Sequence, residues 1–135
     1  MKTYELDLTN RSADNEAIQL WMNKAQGHFL NGEFEDAIDC FDEVLHLNSN
    51  KMEAAFYMGE SYMEIEQYNE ASKSFTRVIE HDDNLYVQKA EWYLAGCLLA
   101  MDNTDLARRK LAKIASTSSH YYKDDAAKIL KRMKR

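Results

Sequence analysis

The chain matches itself when shifted by 34 residues, and this self-similarity limits its fold more than any other feature. Under that shift Phe34 falls on Tyr68, Ala37 on Ala71, Phe41 on Phe75, Val44 on Val78 and Leu45 on Ile79. A shift of 36 carries Ala71 onto Ala107, Phe75 onto Leu111 and Val78 onto Ile114. Ala25, Gly59 and Ala95 form a further column. Small residues in such columns let two helices approach closely, and the large ones fill the space beyond. Each unit buries only part of its apolar surface alone, so neighbouring units must stack.

Within each copy the apolar residues recur at steps of three and four, the period of a helix. Proline is absent and there are only four glycines, so long helices with short joints are expected. Ile18, Trp21, Met22, Ala25, His28 and Phe29 mark a first helix from about Glu16. Phe34, Ala37, Ile38, Phe41, Val44 and Leu45 mark a second. The next pair is expected near Met52–Glu64 and Asn69–Glu80, and the third near Val87–Ala100 and Asp105–Ala115. A last helix carries Tyr122, Ala126, Ile129, Leu130 and Met133 on one face. Residues 1–15 read differently: Tyr4, Leu6 and Leu8 alternate with Glu5 and Asp7, and a polar stretch follows. An irregular segment is expected there, with Ser12 or Asp14 capping the first helix.

The pattern Trp21–Ala25–His28–Gly32–Phe34–Ala37–Phe41–Val44 resembles the tetratricopeptide repeat. So do Met58, Gly59, Tyr62, Tyr68, Ala71, Phe75 and Val78, and a third copy with Leu94, Ala95, Leu98, Ala107, Leu111 and Ile114. The resemblance implies an all-α, right-handed solenoid of three helical hairpins, at about 18–51, 52–85 and 88–121. A capping helix follows at about 120–135, so that residues 16–135 form a single domain. The chain departs from the family at Ser49 and Asp83, where proline is common, at His28, where an aromatic is usual, and at Glu66, which replaces a turn glycine. The stretch Ala90–Leu94 and the trailing residues 121–130 are similar to the ends of bacterial members. Some of those follow a membrane anchor, so the resemblance leaves a cytoplasmic and a periplasmic location open.

Members of the family bind peptides or partner proteins in a concave groove lined by the first helix of each pair. Carried over by position, the groove face is Met22, Gln26 and Phe29; Glu53, Phe56, Glu60 and Met63; and Lys89, Trp92 and Leu99. An apolar stripe flanked by glutamates suits an amphipathic helix or an extended apolar segment with some basic residues. Phe56 and Trp92 are assigned to the groove, whereas Phe29 and Leu99 suit core packing equally well. Chaperone-binding members clamp a C-terminal carboxylate with lysine, asparagine and arginine. The corresponding positions here are Met22, Gln26, Tyr57, Lys89 and Tyr93, of which only Lys89 fits.

The remaining features point away from chemistry. The net charge of −6 argues against nucleic acid as a partner. Six cations against two acids make residues 123–135 locally +4, which leaves −10 for the rest; these cations suit a soluble end to the stack. Cys40 and Cys97 read as buried free thiols, and the four histidines share no metal-ligand spacing. No phosphate loop, serine elbow or carboxylate pair is present, so no enzyme, cofactor or metal is expected. No run is long enough to span a membrane, so no membrane insertion is expected in this segment. A protein or peptide partner is the leading expectation. The alternative is a homodimer formed through the groove or the edge helices, or by docking of residues 4–8 into a groove.

Overall fold

The computed structural model describes the backbone of residues 2–134 and the side chains of residues 11–134. The described residues form seven α-helices: α1 (Lys2–Leu30), α2 (Phe34–Leu47), α3 (Met52–Glu64), α4 (Tyr68–His81), α5 (Val87–Ala100), α6 (Thr104–Ser116) and α7 (Lys123–Met133). There is no strand among the described residues. Each helix packs on the next in the chain, from α1 on α2 through to α6 on α7, as an all-α repeat solenoid requires.

The columns are the core. Ala25, Ala37, Phe41, Val44, Ala71, Phe75, Val78, Ala95, Ala107, Leu111 and Ile114 are all buried. Glycine at position 59 reflects a tight contact: a β-carbon there would stand 2.7 Å from Cε1 of Phe75. The main core runs from α1 to α6, and a smaller cluster forms where Ala126, Tyr122, Ile129, Leu130 and Met133 meet Trp92, Ala95, Leu111 and Ile114.

The hairpin turns share one geometry. The N–H groups of Glu33, Gln67 and Asn103 donate to the carbonyls of His28, Tyr62 and Leu98, five residues back. Those of Gly32, Glu66 and Asp102 donate to Phe29, Met63 and Leu99, three residues back. This double bond closes a helix when the residue after its cap turns left-handed. Gly32 has φ +77°, and Glu66 and Asp102 adopt φ +60° and +59° in the same position. Only the first repeat places glycine there.

The shift from 34 to 36 residues has a local cause. Val44 to Gly59 spans 15 positions and Val78 to Ala95 spans 17, so the extra residues lie in the α4–α5 connection. There Asp82 is left-handed at φ +65°. Asn84 replaces the missing backbone bonds: its Nδ2 donates to the Val78 carbonyl, and its Oδ1 accepts from the Tyr86 N–H at 2.9 Å.

The expectation of an irregular segment over residues 1–15 is corrected. The α1 backbone is helical from Lys2, so neither Ser12 nor Asp14 caps it. No proline or glycine interrupts residues 2–26, and helix propagation adds a hydrogen bond per residue once a nucleus exists. Alternating Tyr4, Leu6 and Leu8 favour a strand only where a sheet offers partners. Docking of residues 4–8 concerns side chains outside the described residues.

Candidate functional site

The ten residues expected to line a groove lie on the first helices of the hairpins, α1, α3 and α5, and they differ in exposure. Met22 and Phe56 do not line it: they are 3% and 1% exposed and belong to the core. Phe56 is covered by stacked rings of Tyr86 at 5.0 Å and Tyr93 at 5.8 Å, and it meets Phe75 at 5.8 Å. Helix phase assigned Phe56 to the groove side of α3. What phase cannot show is that the lengthened α4–α5 connection carries Tyr86 over it. Met22 is enclosed in the same way by the α1–α3 core.

The other eight residues remain at least partly open: Gln26, Phe29, Glu53, Glu60, Met63, Trp92 and Leu99 are half-buried and Lys89 is exposed. Gln26 Nε2 donates to Glu53 Oε1 at 3.4 Å, linking α1 to α3. Phe29 meets Tyr57 edge-on at 5.5 Å. Together with Gln26, Leu30 and Phe41 these two rings line an open cleft of about 310 Å³. Lys89 holds its ammonium 5.9 Å from the Phe56 ring centre. Trp92 stacks on Tyr122 at 5.0 Å with the planes 2° apart, so its ring also holds the loop that leads into α7. Phe29 and Leu99, for which packing and exposure were both open, do some of each: both touch the core and neither is closed off.

Sequence reasoning missed Tyr86 and the aromatic role of its neighbours. Tyr57, Tyr86 and Tyr93 line the same face as Phe29 and Glu60, although the sequence reading named Tyr57 and Tyr93 as positions of a clamp that does not fit. Tyr57 and Tyr93 do share a column at the 36-residue shift, and that signal was available.

Electrostatics concentrate at Glu60. Burial pushes its carboxyl up, opposed by a hydrogen bond from Tyr93 and by the charge of Lys89. Burial, followed by the charge of Glu60, pushes the Tyr93 hydroxyl up to about 12, so it stays a donor at neutral pH. Burial likewise raises Tyr57 and Tyr86. The result is an apolar, aromatic surface around a partly desolvated carboxylate, which attracts a cation.

The cysteines and histidines of this region sit in structural settings. Cys40 and Cys97 are free and buried, and burial raises both thiols, the reverse of what a nucleophile needs. Half-buried His28 and exposed Glu33 and Asp36 place one potential ligand atom each within 4.8 Å of one another. The contact of His28 Nδ1 with Glu33 Oε1 at 3.3 Å ties the end of α1 to the start of α2. His120 is buried: its Nδ1 accepts from the Tyr122 N–H at 3.1 Å, so the proton sits on Nε2, 3.3 Å from Glu91 Oε1. It anchors the cap. No helix among the described residues is long and apolar enough to cross a membrane.

The family model described as "Anaphase-promoting complex, cyclosome, subunit 3" matches residues 3–78, more than half of the chain. No curated protein matches it in sequence. Among solved structures it is similar to MamA protein (TM-score 0.73, 23% identity, covering 86% of this chain and 61% of that one). It thus spans about three fifths of that MamA chain. It is similar to the Yersinia enterocolitica type III secretion translocator chaperone SycD (TM-score 0.74, 17% identity, covering 89% and 85%). It is also similar to the second tetratricopeptide domain of human RPAP3, solved with an HSP70 peptide (TM-score 0.74, 18% identity, covering 90% and 98%). At these identities the likeness shows the fold alone.

Proposed function

The chain belongs to the tetratricopeptide-repeat family described as "Anaphase-promoting complex, cyclosome, subunit 3", and from that premise we propose that it is a non-enzymatic interaction module whose groove seats a segment of another polypeptide. One observation carries this reading. The first helices leave the rings of Phe29, Tyr57, Tyr93 and Trp92 half-open, and Glu53 and Glu60 are half-buried near the tyrosines. Aromatic side chains offer large contact area at small entropic cost, and a partly desolvated glutamate rewards a basic side chain. The occupant is therefore an apolar segment carrying at least one lysine or arginine. The RPAP3 domain is solved with a peptide, and the CopN–Scc3 structure is a protein complex, which supports this use of the fold.

A carboxylate clamp is not part of the proposal. Of its five corresponding residues Met22 is buried, and Tyr57 and Tyr93 present rings where the clamp needs charge.

Peptides selected from a random display library on the wild-type chain test this. Their affinity for a Glu53→Lys/Glu60→Lys variant, confirmed as helical by circular dichroism, should fall at least about tenfold. Selected peptides that bind both proteins alike would place the contact elsewhere and end the groove reading.

A further inference from the structure

The charge of this chain is sorted along the stack. Residues 31–51 hold six acids against one cation, whereas residues 104–135 hold ten cations against three acids. The two sets lie in the first and last parts of the solenoid, α2 and α6–α7. Little of this charge is neutralised internally. Among the described residues the ion pairs made by lysine or arginine are Lys73–Glu70 and Arg108–Asp105, both at 3.3–3.4 Å. Glu35, Asp36, Asp39 and Glu43 are exposed, and so are Lys128, Lys131 and Arg132.

Both sets also point away from the stack. In α7 the apolar residues Ala126, Ile129, Leu130 and Met133 face the smaller core cluster. Successive residues turn about 100° around a helix, so Lys128 and Lys131 lie on the opposite side. For α2 the middle repeat gives the direction. Arg77 of α4 reaches back to the preceding unit, donating from Nη2 to the Ser49 carbonyl at 2.9 Å. Moved back by one 34-residue repeat, Arg77 becomes Glu43, and Asp39 and Asp36 share its side of α2 at steps of four and seven. Where a preceding unit would sit, α2 therefore presents acids. On α1 the side opposite Met22 and Ala25 carries Leu20, an apolar side chain 64% exposed.

We propose that copies of this chain associate head to tail, the basic α6–α7 end of one against the acidic α1–α2 end of the next. The occupant of each end is a second copy because the complementary charge is on the same molecule. The two surfaces are different, so the contact is heterologous and does not close on a pair: it extends into a row, continuing the stacking that holds the repeats together. The charged residues of the two ends share no position with the groove, so this inference does not rest on what the groove binds. Exposed charge pairs are screened by salt, so the row forms at low ionic strength and disperses when the screening length falls below the pair distance.

Sedimentation velocity on the full chain tests this with two variants, Asp39→Asn/Glu43→Gln and Lys128→Gln/Lys131→Gln, each checked for helicity. At about 50 mM NaCl the wild type should grow in mass with concentration, and at about 500 mM it should sediment as a monomer. Each variant alone has one working end, and its self-association should weaken at least about tenfold. An equimolar mixture retains one good pair of ends and should stop at a dimer. A wild type that is monomeric at low salt overturns the proposal. So does association indifferent to salt, or either variant associating as the wild type does.

Discussion

A β-carbon on Gly59 would lie 2.7 Å from Cε1 and 2.9 Å from Cζ of Phe75, closer than real side chains approach. Phe75 is fully buried and flanked by Phe56 and Tyr93, so its ring has no room to retreat. Gly59→Ala should destabilise the chain by about 1–2 kcal/mol, overpacking outweighing the better helix propensity of alanine. Gly96 lies within α5 with nothing near its missing β-carbon. Gly96→Ala should stabilise by up to about 1 kcal/mol. Urea denaturation of the two variants reads both signs, and equal effects would contradict the packing.

Glu66 and Asp102 hold left-handed backbone where the first repeat has Gly32. Glu66→Gly should raise stability by about 1 kcal/mol, because glycine adopts φ > 0 without strain. Asp102→Gly should gain less, since aspartate tolerates this region better than glutamate. Gly32→Ala should lose about 1 kcal/mol. Thermal unfolding of the three variants checks the order.

The Glu60–Tyr93 pair sets a pH dependence at both ends of the scale. The folded chain holds the Glu60 proton more tightly than the unfolded chain does. Its contribution is therefore complete below the ordinary value of 4.5 and is lost as pH rises through the higher folded value. At pH 7 the buried charge is a cost, so Glu60→Gln should be more stable than the wild type there, and the gap should narrow toward pH 4. Tyr93 acts in the same direction at alkaline pH. Its contribution holds below 10 and disappears as pH rises through about 12. Tyr93→Phe should flatten the loss of stability in that window. Denaturant midpoints measured across pH on both variants test the pair.

The cap depends on α5. Trp92 stacks on Tyr122, and His120 bridges the Tyr122 N–H and Glu91. A double-mutant cycle on Trp92→Ala and Tyr122→Ala should give a coupling of about 0.5–1.5 kcal/mol. His120→Ala should cost about 1–3 kcal/mol by leaving buried partners unpaired, and should speed amide exchange in α7 before that in α3. Uniform exchange across the chain would mean that the cap does not open separately.

Much of the architecture was legible because it repeats. Columns such as Phe41, Phe75 and Leu111 report burial through period and volume, and the expected α3 and α5 boundaries coincide with the observed ones. The groove was less legible. Gln26, Glu60 and Met63 are half-buried and Lys89 is exposed, whereas Phe56 closes because Tyr86 reaches it from a connection whose path no local pattern describes. The helical backbone of residues 2–15 was hidden by an alternation of apolar side chains that reads as a strand.

Taken alone, the sequence determined the helical period, the repeat and the small-to-large complementarity of its columns, since these depend on residues a few positions apart or on one fixed offset. Only the tertiary structure decided which rings line the open face, that Gly59 is held to glycine by Phe75, and that Trp92 serves the cap through Tyr122. Those outcomes depend on distances between helices. Such distances are set by the summed volume of many side chains and the length of each connection, and no single stretch of sequence carries that sum.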